Sequence, residues 1–273
     1  MPVLYVIATP IGNLEDISLR ALRLLREVKL IAAEDTRTTR HLLNAYNIKT
    51  LVTSYHGHSK QAKLDYLLSC LETQDVALVS EAGMPGLSDP GYELITAAIE
   101  WGFPVVPIPG ASAVITALVV SGLPSDQFLY LGFLPRRHQQ RKRLLSSVVN
   151  EPRTIVFFEA PHRLRETLSD IEEILGDRRI AVCRELTKVH EEAFRGKVGQ
   201  AVEHFTEPRG EFTLVIEGKV KREAEVTKEN EAKLQELYRQ GIGAKEAVSQ
   251  LSEVTGLPRK KLYQTWLKLA KRS

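Results

Sequence analysis

Val76-Ala77-Leu78-Val79-Ser80-Glu81-Ala82-Gly83-Met84-Pro85-Gly86-Leu87-Ser88-Asp89-Pro90-Gly91 is the stretch that decides the reading of this chain. Its first four residues form an apolar run of strand length, bounded by turn formers, which reads as a buried β-strand. The twelve that follow contain three glycines and two prolines. Glycine lets backbone approach a ligand closely, and proline fixes φ without needing a donor partner. A second apolar run opens near Leu94-Ile95. A stiff loop of small residues therefore sits at the carboxyl end of a strand, where open α/β sheets bind ligands. The same residues would also serve as a tight strand-to-helix connection with no ligand.

Strand-like and helix-like patterns alternate on both sides of this loop. Upstream, Leu4 to Ala8 reads as a strand. Ser18 caps a helix with Leu19, Leu22, Leu25 and Val28 at helical spacing. Leu30 to Ala33 is a strand, Arg40 to Tyr46 a helix, Thr50 to Ser54 extended, and Lys60 to Leu71 an amphipathic helix. Downstream come a helix over Tyr92 to Trp101 and a strand over Val105 to Ile108. Pro109-Gly110-Ala111-Ser112-Ala113 then leads into a helix that runs to about Ser121. This alternation predicts an α/β fold with a parallel sheet covered on both faces. Gly122-Leu123-Pro124 marks a boundary, after which the pattern resumes with different loops. Strands are expected at Phe128–Phe133, Thr154–Phe158, Arg179–Arg184 and Phe212–Glu217, with helices at Arg141–Val149, Leu164–Leu175 and Val198–Phe205. The expected organisation is an α/β domain over 1–121, a second over 122–219 and a small helical domain over 220–273.

The last domain follows a charged linker, Lys219 to Glu225, and comprises helices over Lys228–Arg239, Ala244–Leu251 and from Leu257-Pro258 onward. Proline suits that helix start, where its missing N–H costs nothing. Arg259, Lys260, Lys261, Lys268 and Lys271 stand near Tyr263 and Trp266, a mixture that suits nucleic acid in a helix-turn-helix-like unit. A packing or dimerising module fits the same pattern.

The 273 residues are 43% hydrophobic and 26% charged, ordinary globular values that allow about two domains at ~150 residues each. The net charge is +3, unevenly spread. Residues 226–273 hold ten Lys/Arg against five Asp/Glu, leaving 27 against 29 in residues 1–225. A second basic run is Arg136-Arg137-His138-Gln139-Gln140-Arg141-Lys142-Arg143. Such asymmetry suits a polyanionic partner, and each run alone also fits a solvated helix face. Cys70 and Cys183 are too few for a disulfide framework and read as buried thiols. No apolar run reaches the ~18 residues of a membrane helix. Met1-Pro2-Val3-Leu4-Tyr5-Val6 shows no basic n-region, so no signal peptide and a cytoplasmic location are expected.

Several chemistries lack their motifs. The dinucleotide fingerprint, the P-loop, H-E-x-x-H, zinc-spaced Cys/His clusters and G-x-S-x-G are all missing from the sequence, so no metal is expected. Polar clusters do close the predicted strands: Glu34-Asp35-Thr36-Arg37, Glu159-Ala160-Pro161-His162-Arg163, Arg184-Glu185-Leu186-Thr187-Lys188 and Gly210-Glu211-Phe212. Charges at such positions are costly to bury unless paired or used. A structural ion pair and a catalytic role are both open for each.

Taken together, Pro10-Ile11-Gly12-Asn13-Leu14, Glu34-Asp35-Thr36-Arg37, Ser80 to Gly91, Pro109 to Ala113, Gly132-Phe133-Leu134-Pro135 and Phe158 to Arg163 resemble the tetrapyrrole-methylase-like methyltransferases. With Arg184 to Lys188, they resemble the branch that methylates the ribose 2′-oxygen of a cytidine in the decoding region of 16S rRNA. The resemblance spans about residues 1–219. It implies two α/β domains with S-adenosylmethionine in the cleft between them. The cofactor would meet Pro10, Ile11 and Gly12, the loop Glu81, Ala82, Gly83, Met84 and Pro85, then Ser112 and Ala113, and Leu131, Phe133 and Leu134. Tetrapyrrole-modifying relatives carry G-x-G-x-G-D in the first loop. Pro10-Ile11-Gly12-Asn13-Leu14 stands here instead, which argues against a tetrapyrrole substrate. The implied partners are 16S rRNA or the small ribosomal subunit, and a second copy of the chain, since homodimers are common in this fold.

On this reading a ribose hydroxyl needs a base nearby. Glu159 is expected in that role, with Glu185 and Lys188 as alternates. RNA phosphates would meet Arg136, Arg137, Arg141, Lys142 and Arg143, together with Arg259, Lys260 and Lys261. Thr36-Arg37 and His162-Arg163 would hold the extruded nucleotide, and Glu34 and Asp35 would also meet the RNA substrate. Three alternatives remain: a tetrapyrrole methylase, a non-catalytic RNA-binding protein of the same fold, and a nucleotide-phosphate binder, the last disfavoured by the missing lysine-bearing loop.

Overall fold

A computed structural model describes residues 1–55, 60–219 and 226–270. Lys271 and most of the expected linker, 220–225, lie outside the described residues. The described chain falls into two compact units that divide at Lys219.

The first sheet is built from β1 (Leu4–Ile7), β2 (Leu30–Ala33), β3 (Leu51–Ser54), β4 (Val76–Val79) and β5 (Val105–Ile108), in the order β3-β2-β4-β1-β5. All its pairings are parallel. Strand side chains alternate between faces, and two cores result. Ile7, Ile31, Ala77 and Val79 pack with Leu22 and Leu25 of α1 (Leu19–Glu27) and Leu42 and Leu43 of α2 (Thr36–Ala45). Leu4, Val6, Leu30 and Leu78 pack with Leu67 and Leu71 of α3 (Lys60–Leu71) and Leu94 of α4 (Tyr92–Glu100). Ser18 caps α1, its Oγ accepting from the Ala21 N–H at 3.1 Å. Leu19 departs from the expected apolar stripe: it is 86% exposed.

The second sheet contains β6 (Phe128–Phe133), β7 (Thr154–Glu159), β8 (Arg179–Arg184), β9 (Glu192–Lys197) and β10 (Phe212–Ile216), in the order β6-β7-β10-β8-β9. Here the structure departs from a simple repetition of the first half. Only β6 and β7 run parallel, and the three other pairings are antiparallel. The strand β9 is absent from the sequence reading. One face of this sheet packs Leu145 of α6 (His138–Ser147), Leu164, Leu168 and Ile171 of α7 (Leu164–Leu175), and Val198 and Ala201 of α8 (Val198–His204). The other face receives α5 (Ala113–Val120), whose Val114, Ala117 and Leu118 pack with Val156, Ala181 and Val215. A helix that sequence order groups with the first sheet thus contributes to the core of the second.

The described part of the C-terminal unit comprises α9 (Lys228–Arg239), α10 (Ala244–Thr255) and α11 (Arg259–Ala270), packed around Leu234, Val248, Leu251, Leu262 and Trp266. Trp266 is 6% exposed and meets Tyr238 edge to face at 5.3 Å. It is a core residue and does not stand among the cations as the sequence suggested. Among the described residues no helix is long and apolar enough to cross a membrane.

Candidate active site

The loops after β1 and β4 are stitched together at the carboxyl ends of the first sheet. Thr9 donates its N–H to the Gly83 carbonyl at 2.9 Å, and Gly83 returns the bond to the Thr9 carbonyl at 3.1 Å. The Ser80 hydroxyl donates to the Gly83 carbonyl at 3.2 Å. Gly83 and Gly91 take φ of +78° and +135°, and a Cβ on Gly91 would stand 3.0 Å from Leu78 Cδ2. Positive φ is unstrained for glycine alone among the common residues. Ser88 nevertheless adopts φ +68°, with its hydroxyl 2.7 Å from that of Tyr130 on β6. A strained residue persists where its surroundings over-determine it, and here the second sheet supplies that constraint.

A cavity of ≈ 500 Å³ lies against these loops. Ile11, Gly83, Met84, Ser112 and Ala113 line it from the first half, and Phe133, Phe158, Phe212 and Thr213 from the second. Its charged lining is one-sided. Glu34, Glu81, Asp89, Glu159 and Glu211 face it, and among the described residues no Lys, Arg or His does. A smaller cavity of ≈ 240 Å³ shares Ile11, Glu81, Ala82 and Glu211 and adds Pro10, Gly12, Thr38, His41 and Lys188.

The five carboxylates are not equivalent. Glu159 is 1% exposed. One of its oxygens accepts from the Ala160 N–H at 2.8 Å, the other from Arg163 Nη2 at 3.0 Å and the Thr167 hydroxyl at 2.7 Å. Glu34 accepts the Glu81 N–H at 3.1 Å. Glu211 pairs with Lys188 at 2.9 Å. Glu81 is raised from the ordinary range, first by burial and then by Asp35, Glu34 and Glu211. Asp89 is shifted furthest: burial pushes it up to about 7, helped by the charge of Glu34 and opposed by a hydrogen bond with Ser80.

The structure reassigns several residues expected in the site. Glu159 faces the cavity, but its hydrogen-bonding capacity is spent on its own turn and on α7. It anchors the loop and is not a free base. Glu185 lines neither cavity. Burial alone would raise its carboxyl, but the Glu211 N–H and Lys188 outweigh burial and hold it low. Lys188 is desolvated, yet Glu211 and Glu185 raise it overall. A lysine held protonated cannot accept a proton. Asp35 caps α2, accepting from the N–H groups of Arg37 at 2.6 Å and Thr38 at 3.1 Å, so its carboxylate is committed to the helix. That cap starts α2 four residues before the expected Arg40. Arg141 is fully buried and paired with Asp170 at 2.6 Å, out of reach of RNA. Lys142 is tied to Glu173 at 2.7 Å. Arg163 donates through Nη2 to the Leu134 carbonyl at 2.7 Å and to Glu159 at 3.0 Å, so that nitrogen is committed to the fold.

Among the expected cofactor residues, Ile11, Glu81, Ala82, Gly83, Met84, Ser112, Ala113 and Phe133 line the larger cavity, and Pro10 and Gly12 the smaller. Pro85, Leu131 and Leu134 line neither, and Leu134 belongs to the core of the second sheet. Arg37, Arg136, Arg137, Arg143 and His162 are exposed. In the C-terminal unit Arg259 and Lys260 are exposed, and Lys261 is half-buried. Asp89 was not singled out from sequence, although it lies within the decisive loop.

A five-stranded parallel sheet with a Gly/Pro loop at its carboxyl edge, joined to a mixed five-stranded sheet, defines a class. The profile of the tetrapyrrole (corrin/porphyrin) methylases matches residues 3–202. Uroporphyrin-III C-methyltransferase from Thermus thermophilus, solved in complex with S-adenyl homocysteine, shares the fold at a TM-score of 0.56 and 20% identity, over 81% of this chain and 99% of that one. Closer in sequence are proteins named ribosomal RNA small subunit methyltransferase I. The one from Halalkalibacterium halodurans is 46% identical over 96% of this chain and 94% of its own length. The one from Thermotoga maritima is 50% identical over 80% of this chain and all of its own. The chain belongs to the tetrapyrrole methylase family, in its ribosomal RNA small subunit methyltransferase I branch.

Proposed function

We propose that this chain is an S-adenosylmethionine-dependent methyltransferase that places a methyl group on the ribose 2′-oxygen of a cytidine in small-subunit ribosomal RNA. The observation that carries the reading is the acidic cavity, without a described cation, at the carboxyl ends of the parallel strands. A carboxylate lining favours a cationic ligand and repels phosphate or a polycarboxylate. That favours a sulfonium cofactor and disfavours both a nucleotide triphosphate and a tetrapyrrole bearing acidic side chains. The size, ≈ 500 Å³, lies within the usual range for cofactor sites.

Ile11, Gly83, Met84, Ser112, Ala113 and Phe133 would hold the cofactor by apolar contact and main-chain groups, with Glu81 as a charge partner. When bound, S-adenosylmethionine supplies a methyl group activated by its positive sulfur. The protein's contribution is chiefly alignment, which is worth up to roughly 7–11 kcal/mol of a barrier. Because the cavity repels phosphate, a single nucleoside enters and the flanking phosphates stay at the rim. Exposed Arg37, Arg136, Arg137, Arg143 and His162 are candidate partners for RNA phosphates, and Arg259, Lys260 and Lys261 of α11 are candidates in the C-terminal unit.

The substrate is the small ribosomal subunit or its rRNA, and the working form is a homodimer. Support for the dimer comes from uncovered apolar side chains: Tyr92, Ile99 and Trp101 at α4 are 69%, 60% and 61% exposed, and Val119 on α5 is 71% exposed. The function is tested by incubating the protein with methyl-labelled S-adenosylmethionine and small subunits from a strain lacking the modification. Label is expected in rRNA. Cofactor binding without RNA label would move the substrate to a small molecule, and RNA binding without cofactor binding would leave an RNA-binding module.

A further inference from the structure

We propose that the smaller cavity holds the base of the target cytidine, with Lys188 and Glu211 reading its Watson–Crick edge; this rests on the methyltransferase reading above. The two cavities differ in charge. The larger shows only carboxylates, whereas the smaller adds Lys188 and His41 to Glu81 and Glu211. At ≈ 240 Å³ it falls below the roughly 300–1,000 Å³ of a complete ligand site and suits a fragment such as one base. The two cavities share Ile11, Glu81, Ala82 and Glu211. A nucleoside lodged by its base in the smaller can therefore bring its ribose to a cofactor in the larger.

The segment that delivers Lys188 is strained. Glu185 and Thr187 take φ of +49° and +66°, although neither is glycine. Two other loops hold it. Thr187 Oγ1 accepts the Asn13 N–H at 3.1 Å, and Glu185 Oε1 accepts the Glu211 N–H at 2.9 Å. Each of those loops brings a glycine to the contact: a Cβ on Gly12 would run into Lys188 Cγ, and one on Gly210 would stand 2.6 Å from Glu185 Cγ. Strain persists where the surroundings over-determine it, and it clusters at ligand clamps. What is fixed here is the Lys188 ammonium, 3.0 Å from Glu185 Oε1 and 2.9 Å from Glu211 Oε2. Those bonds take two of its three N–H donors, and the third is uncommitted among the described residues. Glu211 Oε1 likewise accepts no bond among the described residues, and its side chain is 74% exposed.

An acceptor thus stands beside a donor. Cytosine offers the complement on adjacent atoms, the N4 amino donor beside the N3 acceptor, and a carboxylate suits N4. With the ribose held against the cofactor, uracil would set its O4 against Glu211 and its N3–H against the ammonium, and both contacts would repel. One cation against the two carboxylates of Glu185 and Glu211 also favours a neutral base over a phosphate.

The test compares wild type, Lys188→Met and Glu211→Gln on unmodified small subunits carrying either cytidine or uridine at the methylated position. Single-turnover methylation gives the rate and half-saturation for each, and calorimetry gives S-adenosylmethionine affinity. Wild type is expected to favour cytidine by about 5- to 150-fold. Glu211→Gln, whose amide can donate to O4, should bring that ratio close to one. Lys188→Met should raise half-saturation for cytidine subunits with cofactor affinity little changed. Residues that only brace the fold would slow both substrates alike, so an unchanged ratio in Glu211→Gln overturns the proposal. So does a Lys188→Met loss matched by lost cofactor affinity, or a wild type indifferent to the base. Binding of free cytidine and uridine in the presence of S-adenosylhomocysteine, followed by saturation-transfer NMR, separates this proposal from the reading beneath it. If no subunit is labelled, yet cytidine binds and Lys188→Met releases it, the methyl acceptor is wrong and the base pocket stands. Uridine bound as well as cytidine would overturn the pocket itself.

Discussion

Arg141 and Asp170 meet at 2.6 Å with 0% and 5% of their side chains exposed. Burial would lower the guanidinium, but Asp170 and Glu166 keep it protonated. Asp170→Ala would leave the buried cation only the more exposed Glu166, 2.9 Å away, at a cost of up to about 3–5 kcal/mol, read as a lower urea midpoint. An unchanged midpoint would show that water reaches Arg141. Asp89 is the opposite case. Its folded value near 7 lies above the unfolded carboxylate value, so the native state binds more protons between those limits and stability falls as pH rises through that window. Asp89→Asn should therefore stabilise the protein at pH 8 more than at pH 4, as checked by thermal unfolding at both. Sequence reasoning chose Glu159 because a carboxylate at a strand end looks alike whether free or engaged. Its partners Arg163 and Thr167, four and eight residues on, were visible in the sequence but not their convergence. Asp89 was hidden by its setting, since Asp-Pro-Gly reads as turn chemistry.

The parallel sheet was legible at the scale of elements because buried parallel strands are continuous apolar runs, as in Val76 to Val79. The second sheet was legible in its strands but not in its pairing. In β9, Glu-Ala-Phe-Arg-Gly-Lys is an edge strand, polar enough to pass for a loop, and it completes the antiparallel side. The basic run before and within α6 divides by the same logic: Arg141 and Lys142 are spent within the fold, while Arg136, Arg137 and Arg143 are exposed. Replacing those three by Gln should flatten the log–log salt dependence of RNA binding by about 0.7 for each single-strand phosphate no longer neutralised. An unchanged slope in filter-binding titrations would remove α6 from the RNA interface.

For the whole molecule, residues 1–219 form one compact unit with the cavity inside it, and 226–270 form a separate three-helix core. The Thermotoga maritima relative matches over all of its own length yet covers 80% of this chain, so a fifth of the chain has no counterpart there. The proposed dimer predicts that Trp101→Glu with Val119→Glu yields a monomer by light scattering, and a wild-type monomer would refute it. The most direct test of the central claim is where the methyl lands. A ribose 2′-O-methyl removes the nucleophile that alkali uses to cut the adjoining phosphodiester. Small subunits labelled by this enzyme, stripped to RNA and hydrolysed in alkali, should therefore yield the label in an alkali-resistant dinucleotide that begins with cytidine. Label released in a mononucleotide would place the methyl on a base and contradict the account.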